Sequence, residues 1–87
     1  MKDLKIRFIE RYSVLRGEIN GYLIQKKTLF GWVDITYTIF MGYGSITQSY
    51  NNKNKHDLLN DVLRLHYETC IDFVNITEYP SIKIYEN

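Results

Sequence analysis

Cysteine is nearly absent from this chain. Cys70 stands alone, so no internal disulfide can form, and no cluster of cysteine, histidine or carboxylate has the spacing of a metal site. Proline is equally scarce: Pro80 is the only one, which excludes a proline-rich linker. Charge of one sign is lacking too, because a formal net charge of +1 is far from the broad basic footprint of a general nucleic-acid binder. No apolar run approaches the length that spans a bilayer. The opening stretch MKDLKIRFIERY is broken by charge every two or three positions, unlike a secretory leader. The expected location is therefore the cytoplasm, and the glycosylation sequon Asn75-Ile76-Thr77 is disregarded.

What remains is a chain of 87 residues, the size of one domain with a thin core. With neither disulfide nor metal to reinforce it, self-association is the expected support. Aromatics are abundant at 15%, with eight Tyr, four Phe and one Trp, enough to build a core, an interface or a stacking platform. Charge is unevenly spread. Residues 1–32 carry seven basic and three acidic side chains, a net of +4, whereas residues 33–87 carry four basic and seven acidic, a net of −3. Solvated strand faces account for such a gradient, and so does a local anion site on the amino-terminal sheet.

Periodicity predicts a single α+β domain over residues 1–87, an antiparallel sheet packed by one helix. From Lys5 to Val14, Ile6, Phe8, Tyr12 and Val14 share one parity and Lys5, Arg7, Arg11 and Ser13 the other, which reads as a strand. A helical stripe through Leu4, Phe8, Tyr12 and Leu15 is the alternative for the same segment. Arg16–Gly21 is expected as a connection, its Asn20-Gly21 pair supplying the positive φ of a tight turn. Tyr22–Leu29 and Trp32–Met41 then complete a three-stranded meander, with Val33, Ile35, Tyr37, Ile39 and Met41 as the apolar face of its third strand. Gly42–Asn54, poor in apolar residues, is expected to be a mobile connection. Asn54 caps a helix over about residues 55–69, in which Leu58, Leu59, Val62, Leu63, His66 and Cys70 recur at spacings of three and four. Asp72–Thr77 and Ser81–Tyr85 are short β-prone segments. Pro80 between them marks a turn or an edge, and the tail adds one short strand to the sheet.

Catalytic constellations are nearly missing, and no enzyme, cofactor or metal is expected. His56 and His66 point in different directions around the helix, Cys70 reads as a small buried hydrophobe, and Asp57, Asp61 and Glu68 lie on the polar helix face. Gly42-Tyr43-Gly44-Ser45 lacks the Gly-Lys-Ser/Thr ending of a phosphate loop. The informative stretch is Gln25-Lys26-Lys27-Thr28-Leu29-Phe30-Gly31-Trp32, which sets two cations and two large aromatics at a strand-to-strand corner. Aromatic faces stack on bases at about 1–3 kcal/mol each and lysines neutralise phosphate, so the stretch has the inventory for an anionic ring system. A hairpin with a core tryptophan and snorkelling lysines has the same composition.

With the strand Ile6-Arg7-Phe8-Ile9-Glu10 before it and a single helix after it, this Q-K-K-x-x-F-x-W pattern resembles a group of small phage proteins. These are the viral sponges of the anti-CBASS and anti-Thoeris type. The resemblance implies a non-enzymatic oligomer, tetramer favoured, that sequesters a cyclic dinucleotide or a cyclic ADP-ribose-type signal in the host cytoplasm. It implies stacking by Trp32 and Phe30, phosphate contacts from Lys26, Lys27, Arg7 and Arg11, and polar contacts from Tyr22 or Gln25. A small phage inhibitor that binds a host protein is the competing expectation, and nucleic acid is an unlikely partner.

Overall fold

A twelve-residue strand, β1 (Lys2–Ser13), is the backbone of the fold, paired along nearly its whole length on one side and over Ile6–Ser13 on the other. The computed structural model describes residues 2–69 and 71–87, without the side chains of Lys2 and Phe73. Cys70, expected at the end of the helix stripe, lies outside the described residues. The strand read over Lys5–Val14 holds as far as Ser13, and the alternative helix does not form.

The chain turns at residues 14–17, where the Gly17 N–H bonds to the Ser13 carbonyl at 2.9 Å and Gly17 adopts a φ of 66°. The turn overlaps the expected Arg16–Gly21 connection but begins two residues earlier, and Gly17 rather than the Asn20-Gly21 pair supplies its positive φ. Gly21 instead lies inside β2 (Glu18–Thr28), where a Cβ would come within 2.9 Å of Asn51 Oδ1, so its missing side chain serves close strand approach. β2 runs antiparallel to β1. A two-residue turn, Leu29-Phe30, then leads into β3 (Gly31–Asp34), antiparallel to β2.

The third strand of the expected meander is cut at Ile35. Its N–H bonds to the Ile24 carbonyl at 3.1 Å, and its carbonyl receives the Tyr50 N–H at 3.3 Å. Between those two bonds the chain leaves the sheet as a separate hairpin, β4 (Thr36–Met41) with β5 (Gly44–Ser49). It returns as β6 (Asn51–Asn52), which resumes pairing beside β2 at Tyr22 and Leu23. β3 and β6 thus share one strand position from which a hairpin projects. The Gly42–Asn54 segment, expected as a mobile connection, is largely strand: cross-strand pairing satisfies its backbone although its own apolar content is low.

Asn54 caps α1 (Lys55–His66), its Oδ1 accepting from the Asp57 N–H at 3.1 Å, as the spacing predicts. Leu58, Leu59, Val62 and Leu63 form the buried stripe. The helix stops three residues short of the expected end. Glu68 turns left-handed at φ 54° and the Thr69 N–H bonds to the Leu63 carbonyl at 3.0 Å, which reverses the chain. A 3-10 turn (Ile71–Phe73) follows.

β7 (Val74–Glu86) is one strand of 13 residues where two short segments were expected, and it pairs parallel to β1. The central sheet is therefore mixed, in the order β3-β2-β1-β7, where an antiparallel one was expected. β6 runs in the same direction as β1, and a helix between β6 and β7 is the crossover that parallel strands require. Pro80 sits on this edge strand at an irregularity, since Arg7 faces Tyr79 while Ile9 faces Ile82.

Leu4, Ile6, Phe8, Ile24, Ile35, Tyr50 and Val74 pack against the helix stripe to form one core on one side of the sheet. Ile6, Ile24, Ile35, Leu58, Val62 and Leu63 are fully buried, each contributing about 1.5–3 kcal/mol. Among the described residues no helix covers the other side of the sheet.

Candidate functional site

Pleating decides which side chains reach that uncovered face. Arg7 lies between Ile6 and Phe8 on β1, and Gln25 follows Ile24 on β2; since those neighbours are in the core, Arg7 and Gln25 turn outward. Register then aligns one row across four strands, Asp34, Gln25, Arg7 and Tyr79. Lys27 and Trp32 pair in the next row of β2 and β3.

The row is wired by hydrogen bonds. Arg7 Nε donates to Gln25 Oε1 at 2.7 Å, and Gln25 Nε2 donates to Asp34 Oδ1 at 2.7 Å. Gln25 thus fixes Arg7 and passes part of the Asp34 charge toward it without forming an ion pair. Above the row the aromatic side chains lean inward. The Arg7 guanidinium lies 4.6 Å from the Trp32 ring centroid, Trp32 meets Tyr79 edge to face at 5.2 Å, and Lys27 Nζ lies 5.1 Å from the Tyr79 ring. Among the described residues neither Arg7 nor Lys27 makes a salt bridge. Two cations without carboxylate partners, set against two aromatic rings on an open surface, form a place where an anion with a planar ring can gain charge-assisted hydrogen bonds and stacking together.

Four of the eight residues expected at the site, Trp32, Lys27, Arg7 and Gln25, meet here. The other four do not join them. Lys26 pairs with Ile6 and Val33, so it leaves β2 on the helix side. Phe30 stands at the tip of the β2–β3 turn, 98% exposed and away from the other rings. Arg11 Nε is engaged with Glu86 Oε2 at 3.1 Å, farther along the sheet. Tyr22 lies on the helix side, edge to face with Phe8 at 6.5 Å and 5.2 Å from Lys55 Nζ. Alternation along β2 was the signal that separates Lys26 from Lys27. Tyr79 and Asp34 are not among the expected site residues: alternation in the third strand sets Asp34 on the Trp32 face, but its bond to Gln25 depends on the β2–β3 register, and nothing local reveals that β7 runs parallel and brings Tyr79 to Arg7.

A cleft of about 510 Å³ on the helix side is lined by Tyr37, Tyr50, Asn51, Asp61 and Leu65. Burial, with Tyr37 and the Asp61 carboxylate nearby, pushes the Tyr50 phenol above its ordinary value of 10.0. The Tyr67 phenol is also raised, by burial. Among the described residues no group of three or more His, Cys, Asp or Glu side chains is placed to hold a metal, and no helix is long and apolar enough to cross a membrane. Comparison with family models, with curated proteins and with solved structures finds no match to this chain.

Proposed function

We propose that this chain is a non-catalytic binding protein for a cyclic nucleotide signal, of the cyclic dinucleotide or cyclic ADP-ribose type, held on the uncovered face of the sheet. The observation that carries the reading is the cluster of Arg7, Trp32, Tyr79 and Lys27. It supplies ring faces for a base and two cations that, among the described residues, make no salt bridge and can meet phosphate. Sequestration of such a signal to block bacterial antiphage immunity, in the cytoplasm of a phage host, is the role the sequence resemblance implies. An open sheet face offers one wall of a pocket, so a second copy of the chain supplies the enclosure that small-molecule sites use. The site residues of this reading are Arg7, Gln25, Lys27, Trp32 and Tyr79.

The test is a thermal-shift screen against cyclic dinucleotides, cyclic trinucleotides, cyclic ADP-ribose isomers and their linear counterparts. A ligand that binds the folded state alone raises its melting temperature. A shift with one cyclic compound, recovered intact after denaturation, is the expected result. No shift across the panel defeats the reading and favours the second one, direct inhibition of a host protein, for which the projecting β4–β5 hairpin offers an exposed apolar surface.

A further inference from the structure

The β4–β5 hairpin is the part of the molecule least accounted for by its own fold. Its pairs Tyr37 with Gln48, Ile39 with Ile46 and Met41 with Gly44 alternate with Thr36–Ser49, Thr38–Thr47 and Phe40–Ser45, so one face is apolar and the other mostly hydroxyl-bearing. The hydroxyl face is internally satisfied in part, Thr38 and Thr47 Oγ1 lying 3.3 Å apart. The apolar face is uncovered: Ile39, Ile46 and Met41 are 43%, 44% and 51% exposed. At its base this face meets the cleft lined by Tyr37, Tyr50, Asn51, Asp61 and Leu65, so the apolar surface reaches the helix at Leu65 and is bounded there by the Asp61 carboxylate. Two strands alone are marginal in water, and this pair forms a sheet of its own.

We infer that this hairpin is a self-association surface whose occupant is the same hairpin of a second copy, packed apolar face to apolar face. The choice of occupant follows from charge. Residues 35–52 contain no Asp, Glu, Lys or Arg, in a chain that is 24% charged. In a two-fold contact the residues at the axis face their own copies, so a charge there would stand against its like, and a patch free of charge avoids this. A partner of different sequence imposes no such restriction. The edges agree with this choice. The β7 edge of the main sheet is guarded by Pro80, a bulge, Glu78 and Lys83, devices that deter strand association, while the hairpin strands carry neither proline nor charge. The inference stands on the hairpin alone and does not rest on the ligand reading.

The test compares the full chain with two variants, Ile39→Lys with Ile46→Lys, and Ile39→Glu with Ile46→Glu, by light scattering coupled to gel filtration. The unaltered protein is expected at twice the 10.4 kDa chain mass or a higher multiple, and each variant at the mass of one chain with an unchanged far-ultraviolet spectrum. An equimolar mixture of the two variants restores the association, because opposite charges then face each other. A variant whose hairpin had simply unravelled would not be rescued in this way. The inference is overturned if the unaltered protein runs as a single chain, if either variant keeps the parent mass, or if the mixture stays monomeric. Ligand binding read at Trp32 on the same samples scores the proposed function separately.

Discussion

Trp32 on β3 and Tyr79 on β7 bring their ring centroids to 5.2 Å although two strands, β2 and β1, lie between them. Neighbouring strands are spaced about 4.8 Å apart, so both side chains must lie across the sheet and meet over it. Arg7 lies against the first ring and Lys27 against the second.

Trp32 is the only tryptophan, so its fluorescence reports this site alone. A nucleotide bound at the cluster is expected to change the emission, and Tyr79→Ala to weaken binding roughly tenfold or more, on the scale of about 1–3 kcal/mol per stacked base. Emission unaffected by a ligand that raises the melting temperature would place that ligand elsewhere.

Adjacent lysines separate the two faces. Lys27→Glu is expected to cost a charge-assisted contact of about 1.5–3 kcal/mol and so weaken ligand binding about tenfold to a hundredfold. Lys26→Glu, on the helix side, should leave affinity nearly unchanged. Isothermal titration of both variants checks the pair, and equal losses would contradict the register.

Truncating the core has a defined cost. Leu63→Ala is expected to destabilise the domain by about 2–5 kcal/mol, because Leu63 is fully buried between the helix and the sheet. Asn54→Ala removes the cap on the Asp57 N–H and should cost about 1 kcal/mol. Denaturant unfolding measures both, the second as a smaller shift of the midpoint.

Alkaline pH should weaken the fold through Tyr50. Its phenol is raised in the folded state, so the folded chain holds that proton more tightly than the unfolded chain does. The stabilisation is fully present below the ordinary value of 10.0 and is lost as pH rises through the folded value. Urea unfolding across that range should show a declining midpoint, and Tyr50→Phe should flatten the decline in part, since Tyr67 is raised as well.

Local signals in the sequence read well wherever one element contains its own explanation. The cap and stripe of α1 are written in Asn54 and in Leu58, Leu59, Val62 and Leu63, and the alternation of β1 identifies it as a strand. The Gln25–Trp32 stretch holds two of the four cluster side chains that carry the proposed function, Lys27 and Trp32. Grouping Lys26 with Lys27 overlooked the period of two that sends adjacent residues to opposite faces, and grouping Phe30 with Trp32 overlooked the turn, which leaves Phe30 outside both strands.

Sequence by itself determined the helix and its cap, the first strands, and the nearness of Lys27 to Trp32, because caps, turns and periodicity act over a few residues. Tertiary structure alone decided that the chain leaves the sheet at Ile35 and rejoins it at Tyr50, that β7 lies parallel to β1, and that Tyr79 therefore meets Trp32. Those outcomes depend on pairing between residues dozens of positions apart. Asn51 and Asn52 show why no local pattern announces it: two asparagines form a strand only because β2, with Gly21 in place of a side chain, offers them an edge.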